Sequence, residues 1–357
     1  EGDLEAAYVR LNRLERFLGV KGEPGTYLMN LKVGKFELDV PYSEKRSPTL
    51  NTPFVMYHYV AGSPYFAGAT GTSTSSYLNP NSFAIGENSP GVEMAGITKT
   101  AVTDGVFRYS LAGLSTNTFS GPLSGSCITP PGEPPCSPGG GRNVNFYGRM
   151  TQSFGGYGIV TGQRIGLFGA YGNAPTRVNA TCPTSCQAVG GSGQPFYRIG
   201  ADVSFTYDGQ WNLFGAFVRG NDSKNLFVSQ GITNAQNASW NGAFVELDWY
   251  PTQLPLIGMP GWFFAYRYDI IRNDRQGDPT FAKNYNDVDS HTFLVRYYIH
   301  QSNRTDIALH AEYNTYRTVG VGTGTGLPAP GPGPGACAPA CGNLLGQTML
   351  VGLDFAY

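Results

Sequence analysis

The 357-residue chain carries little charge, few histidines and no long apolar run. Asp, Glu, Lys and Arg make up only 14% of it, and the formal net charge is -1. That balance leaves no basic footprint for nucleic acid. No segment approaches the roughly 18 consecutive apolar residues of a spanning helix. If the chain enters a membrane it must therefore use closed strands, which satisfy every backbone N–H without water. The four histidines, His58, His291, His300 and His310, have no partners at metal-ligand spacing. A C-x-x-C-H motif is missing too: Gln187 and Gly342 follow the second cysteines of the two tightest pairs, which excludes covalent haem. The sequence shows no signal peptide, and Glu1 reads as a mature or trimmed start. No cofactor is expected.

What the chain does have is 41% hydrophobic residues, 13% aromatics, 49 Gly and 22 Tyr. Its organising stretch is the end, from Gln347 to Tyr357. Met349, Val351, Leu353, Phe355 and Tyr357 are apolar at every second place, and Gly352, Asp354 and Ala356 alternate with them; Leu350 is the exception. A period of two means a strand with one apolar and one polar face. The segment resembles the closing strand of bacterial outer-membrane β-barrels, in which a terminal aromatic sits at the lipid–water boundary.

Reading back from that strand, segments of the same period fall at 304–316, 291–300, 261–271, 241–250, 211–219, 196–207, 163–172, 144–153, 106–114, 91–99, 52–61, 26–39 and 5–17. Residues 196–207 alternate most cleanly: Ile199, Ala201, Val203, Phe205 and Tyr207 against Arg198, Gly200, Asp202, Ser204 and Thr206. Asp208-Gly209 then marks a tight hairpin. The pattern over 144–153 reads as a register slip near Gly148. Residues 4–18 also have helical spacing through Leu4, Tyr8, Leu11, Leu14 and Leu18. Long polar segments alternate with short turns, as extracellular loops alternate with periplasmic turns in such barrels. The expectation is one all-β domain over residues 1–357: a transmembrane antiparallel β-barrel in the bacterial outer membrane, with about fourteen strands within a range of roughly twelve to sixteen. A water-soluble β-sandwich or propeller is the alternative, although wide aromatic faces would aggregate in water.

Six cysteines form three close pairs, Cys127 with Cys136, Cys182 with Cys186 and Cys337 with Cys341, all in long segments on one side. Even, local spacing fits three loop disulfides in an oxidising compartment. A metal reading is weaker, because no His stands beside any pair.

The polar faces of the strands carry Arg108, Arg149, Arg164, Arg198, Asp202, Glu246, Asp248, Arg267, Asp269, Arg296, His310, Glu312 and Asp354. Inside a barrel these would line a lumen, either as a selective path for small solutes or ions or as a closed, salt-bridged interior. Val33-Gly34-Lys35-Phe36 followed by Pro41 is similar to an early-strand pattern of phosphate-selective-type porins. No inward run of Lys or Arg builds a cationic ladder, so that family's anion selectivity does not carry over. The overall pattern also looks like porin-like barrels that sheath multihaem cytochromes, a role that needs a separate cytochrome partner. His310 and Glu312 share a face and could serve acid–base chemistry. An outer-membrane hydrolase would also need a nucleophile and an orienting group, so the expectation is not an enzyme. Four Asn-x-Ser/Thr sites, at Asn179, Asn221, Asn237 and Asn303, read as chance matches in Asn-rich segments.

Overall fold

In the computed structural model, the described residues are 7–20, 26–36, 38–39, 89–100, 105–115, 144–154, 163–173, 195–224, 234–252, 260–277, 279, 283–284, 287–301, 306–319 and 344–356. They form one antiparallel sheet of 13 strands, each paired with its neighbours in chain order. The strands are β1 (Ala7–Leu11), β2 (Tyr27–Phe36), β3 (Ser89–Thr100), β4 (Gly105–Ser115), β5 (Val144–Phe154), β6 (Gln163–Asn173) and β7 (Pro195–Tyr207). They continue as β8 (Trp211–Asp222), β9 (Ala238–Trp249), β10 (Trp262–Arg275), β11 (Val288–Gln301), β12 (Asp306–Thr318) and β13 (Leu344–Ala356). Among the described residues the sheet is not closed: β1 and β13 are its edges. Both run in the same direction, so pairing them directly would make a parallel seam between a 5-residue and a 13-residue strand. The expected strand at 52–61 lies outside the described residues, as do all six cysteines.

The alternation read from the sequence sets the two faces. On β7, Phe196, Arg198, Gly200, Asp202 and Ser204 are buried, while Tyr197, Ile199, Phe205 and Tyr207 are exposed. The same inversion runs across the sheet. Val92, Leu111, Phe146, Leu167, Ile199, Phe217, Val245, Phe293, Leu309 and Val351 are exposed, whereas Glu93, Arg149, Arg198, Asp202, Glu246 and Glu312 on the opposite face are buried. Exposing a large aliphatic side chain to water forgoes about 1.5–3 kcal/mol of burial. A band of such residues across twelve strands is far wider than the few hundred Å² that a soluble monomer leaves open.

Aromatic rings mark the two ends of this band. Near the short turns, Trp211 stacks on Trp249 (5.2 Å between centroids), Trp249 on Phe264 (5.3 Å), and Trp262 lies 4.8 Å from Tyr297. Near the long segments, Phe146, Tyr171 and Tyr197 share one rung of the sheet. Tyr197 and Tyr207 bound β7 at the two levels. Ten residues separate them, about 33 Å along the strand.

Three local expectations are corrected. The slip at Gly148 does not occur: the register runs unbroken from Leu111↔Gly148 to Gly148↔Gly169, and Gly148 simply takes its turn on the exposed face. The helical alternative over 4–18 and the long strand over 5–17 give way to a short strand, Ala7–Leu11, and a 3-10 turn at Leu14–Arg16. Glu15 fixes that turn by accepting from the backbone N–H of Met29 (3.0 Å) while buried. The Asp208-Gly209 hairpin forms as read, with positive φ at both residues.

Candidate functional site

The buried face holds an ion-pair network built on a recurring local device: a glycine on one strand seats a long side chain reaching across from its neighbour. On β6, a side chain at Gly166 would collide with the carboxylate of Asp202 on β7. Because that position is bare, Arg149 on β5 crosses over β6 and donates to Asp202 Oδ1 at 2.9 Å. Arg164 approaches the same oxygen at 3.7 Å. Gly220 serves the same end on β8. A side chain there would meet the indole of Trp240. Arg198 instead reaches across to donate to Asp222 Oδ1 (2.8 Å), Trp240 Nε1 donates to Asp222 Oδ2 (3.1 Å), and the guanidinium lies 4.9 Å from the Trp240 ring.

The chain beyond β2 joins this network. Leu38 is buried in one apolar cluster with Phe36, Tyr147, Phe168, Val218 and Trp240. Asp39 accepts from Arg149 NH1 at 3.2 Å through its carboxylate, and its carbonyl oxygen accepts from the Tyr147 hydroxyl at 2.7 Å. Arg108 stands 3.9 Å from the Asp39 carboxylate. Lys32 pairs with Glu93, which also accepts from Ser110 Oγ at 2.6 Å. These groups border a polar cavity of about 150 Å³, lined by Asn30, Lys32, Asp39, Glu93 and Arg108 among others.

On β9 and β10, Arg267 donates to Glu246 Oε2 (3.2 Å) and Asp269 Oδ1 (2.8 Å) and lies over the Phe244 ring at 4.2 Å. All three charged groups are fully buried. On β11 to β13, His310 faces Glu312 Oε1 through Nε2 (2.7 Å) and Asp354 Oδ2 through Nδ1 (2.9 Å), with Arg296 NH2 also 3.2 Å from Nδ1. Protonated on both nitrogens, the ring donates to both carboxylates; with Nδ1 bare, it accepts from Arg296. Among the described residues, the hydrogen-bond partners of His310 are Glu312, Asp354 and Arg296. Farther along the same strands, Asn314 Nδ2 donates to Thr292 Oγ1 (2.6 Å) and Ser290 Oγ (2.9 Å).

Just outside the strands, burial holds the Asp287 carboxyl above the usual carboxylate range, a shift opposed by the hydrogen bond from the backbone N–H of Asn273 (2.7 Å). It fastens the end of β10 to the start of β11.

All thirteen charged residues singled out from the sequence lie on this one face of the sheet. Arg108, Arg164 and Asp354 keep part of their surface in solvent, and the other ten are buried. The structure brings Arg149, Arg164 and Asp202 together, likewise Glu246, Arg267 and Asp269, and likewise Arg296, His310, Glu312 and Asp354. Sequence reasoning missed Lys32, Asp39, Glu93, Asp222 and Trp240. Glu93 was legible, since it takes the polar place between Val92 and Met94. Asp222 and Trp240 lie beyond the strand ends read at 219 and 241. Among the described residues no group of three His, Cys, Asp or Glu is arranged to hold a metal ion. No protein-family model and no curated protein matches this chain.

Proposed function

We propose that the chain is a bacterial outer-membrane β-barrel of the porin-like kind, conducting small hydrophilic solutes or ions through a narrow, charge-lined lumen. The observation that carries this reading is the inversion of the sheet: a continuous exposed apolar band on one face and buried, paired charges on the other. Lipid is the solvent that makes such an outer face stable. At the roughly 40° strand tilt of such barrels, the 33 Å or so between the two aromatic levels becomes about 25 Å of height, the spacing of the girdles at the two interfaces. On the inner face, mutual pairing of Arg, Asp, Glu and His lets charge stand in a confined space while keeping it polar.

Leu38 and Asp39 narrow that lumen where they pack against Tyr147 and Arg149. Planar-bilayer conductance of the purified protein tests the reading, and steady ion-conducting steps are the expected result. Asp39→Ala should enlarge the steps, because it releases the carboxylate hold on Arg149, and should cost about 1.5–3 kcal/mol of stability for the lost charged hydrogen bond. A silent bilayer for both proteins would contradict the channel and favour a closed scaffold or a sheath around a multihaem cytochrome.

A further inference from the structure

We infer that Asp248 is the centre of a monovalent-cation site in the lumen wall, and that this site makes the pathway cation-selective. The inference rests on the channel reading above and names the ion it passes. Asp248 is only 6% exposed, and its Oδ1 is buried without a hydrogen-bond partner among the described residues. Its cross-strand neighbours are Asn212 on β8 and Ala265 on β10. Continuing along the rung in either direction brings Thr206, Leu294 and Glu312, and none of these described residues carries a guanidinium or ammonium. The nearby cations have other carboxylates to serve: Arg267 bonds Glu246 and Asp269, and Arg296 meets Asp354.

A buried carboxylate in that position must take up a proton or a cation, since an isolated buried charge costs several kcal/mol. The surroundings favour a cation. Among the described side chains of β9 to β13, the buried face carries five carboxylates, Glu246, Asp248, Asp269, Glu312 and Asp354, against Arg267, Arg296 and at most a protonated His310. Neutral oxygens share its rung: Asn212 Oδ1 accepts from Thr206 Oγ1 at 3.0 Å, and both oxygens have lone pairs to spare. One carboxylate with neutral oxygens suits a hard monovalent ion such as K⁺ or Na⁺. A divalent ion needs a richer carboxylate set, and none is assembled among the described residues.

The test is the reversal potential of single channels in a KCl gradient at pH 7. Wild-type protein should prefer K⁺ over Cl⁻, and Asp248→Asn should lower that preference several-fold while the steps persist. Conducting but unselective or anion-selective wild-type channels would overturn the cation site and leave the channel standing. Should no steps form, the channel reading fails, and melting in detergent reads the site alone. A higher melting temperature in KCl than in choline chloride at equal concentration, seen in wild type and lost in Asp248→Asn, supports cation binding. Equal melting in the two salts overturns it. Wild-type melting needs no variant, so a misfolded Asp248→Asn cannot obscure the answer.

Discussion

Arg267→Ala should destabilise the folded protein by about 3–5 kcal/mol, the cost of breaking a buried ion pair from one side. Arg267 is fully buried, donates to Glu246 and Asp269, and covers the Phe244 ring. Truncation strands two carboxylates at 0% exposure with their nearest cation removed. It also opens a void beneath Phe244. The measurement is the denaturant midpoint of the protein refolded into lipid vesicles, followed by tryptophan emission. A triple variant, Arg267→Met with Glu246→Leu and Asp269→Leu, should recover most of the loss, because a buried ion triad replaced as a set by apolar residues of similar volume is often close to neutral. If Arg267→Ala alone lowers the unfolding free energy by less than about 1 kcal/mol, Arg267 does not hold a desolvated ion pair.

The second large effect lies one residue along the neighbouring strand, on the opposite face. Val245→Arg should cost about 2–4 kcal/mol, as a cation does at the midplane of a bilayer. Val245 is 48% exposed and shares its rung with Gly215 and Tyr268, midway between the aromatic levels. Tyr207→Arg, at the level of the short turns, should cost only about 0–1 kcal/mol, as near an interface. That depth dependence is the signature of lipid. In water, both exposed sites would tolerate arginine within about 0.5 kcal/mol. The comparison is read from the same vesicle unfolding curves.

How much of this was legible beforehand depended on whether one strand or several fixed the answer. Period-two alternation is a property of a single strand. Residues 196–207 therefore gave the right faces for Arg198, Asp202 and Ile199, and the same held for Glu246 against Val245. The apparent slip at Gly148 arose because a glycine carries no polarity signal, so its place in the alternation is invisible until the partners are seen. Strand ends were read short wherever the lipid-like pattern stopped. β8 runs on to Asp222, β10 to Arg275 and β12 to Thr318, because backbone pairing continues after the apolar band has ended. That extension hid the Arg198–Asp222–Trp240 group. Asp39 was out of reach for a different reason. Its partners Tyr147 and Arg149 are more than a hundred residues away, and nothing local marks the chain after β2 as joining the buried face. Partner choice within the network likewise rests on Gly166 and Gly220, whose role is to be absent where a neighbour's side chain passes.

A nitroxide scan along β9 in liposomes reads out whether the exposed face meets lipid while the charged face does not. Labels placed singly from residue 241 to 248 would be probed for collision with oxygen, which concentrates in hydrocarbon, and with a water-soluble nickel chelate. The expected result is a period of two: high oxygen and low nickel accessibility at Ala243, Val245 and Leu247, with low oxygen accessibility at Phe244, Glu246 and Asp248. High nickel accessibility at Ala243, Val245 and Leu247 would mean that water covers the apolar band, and would contradict the account.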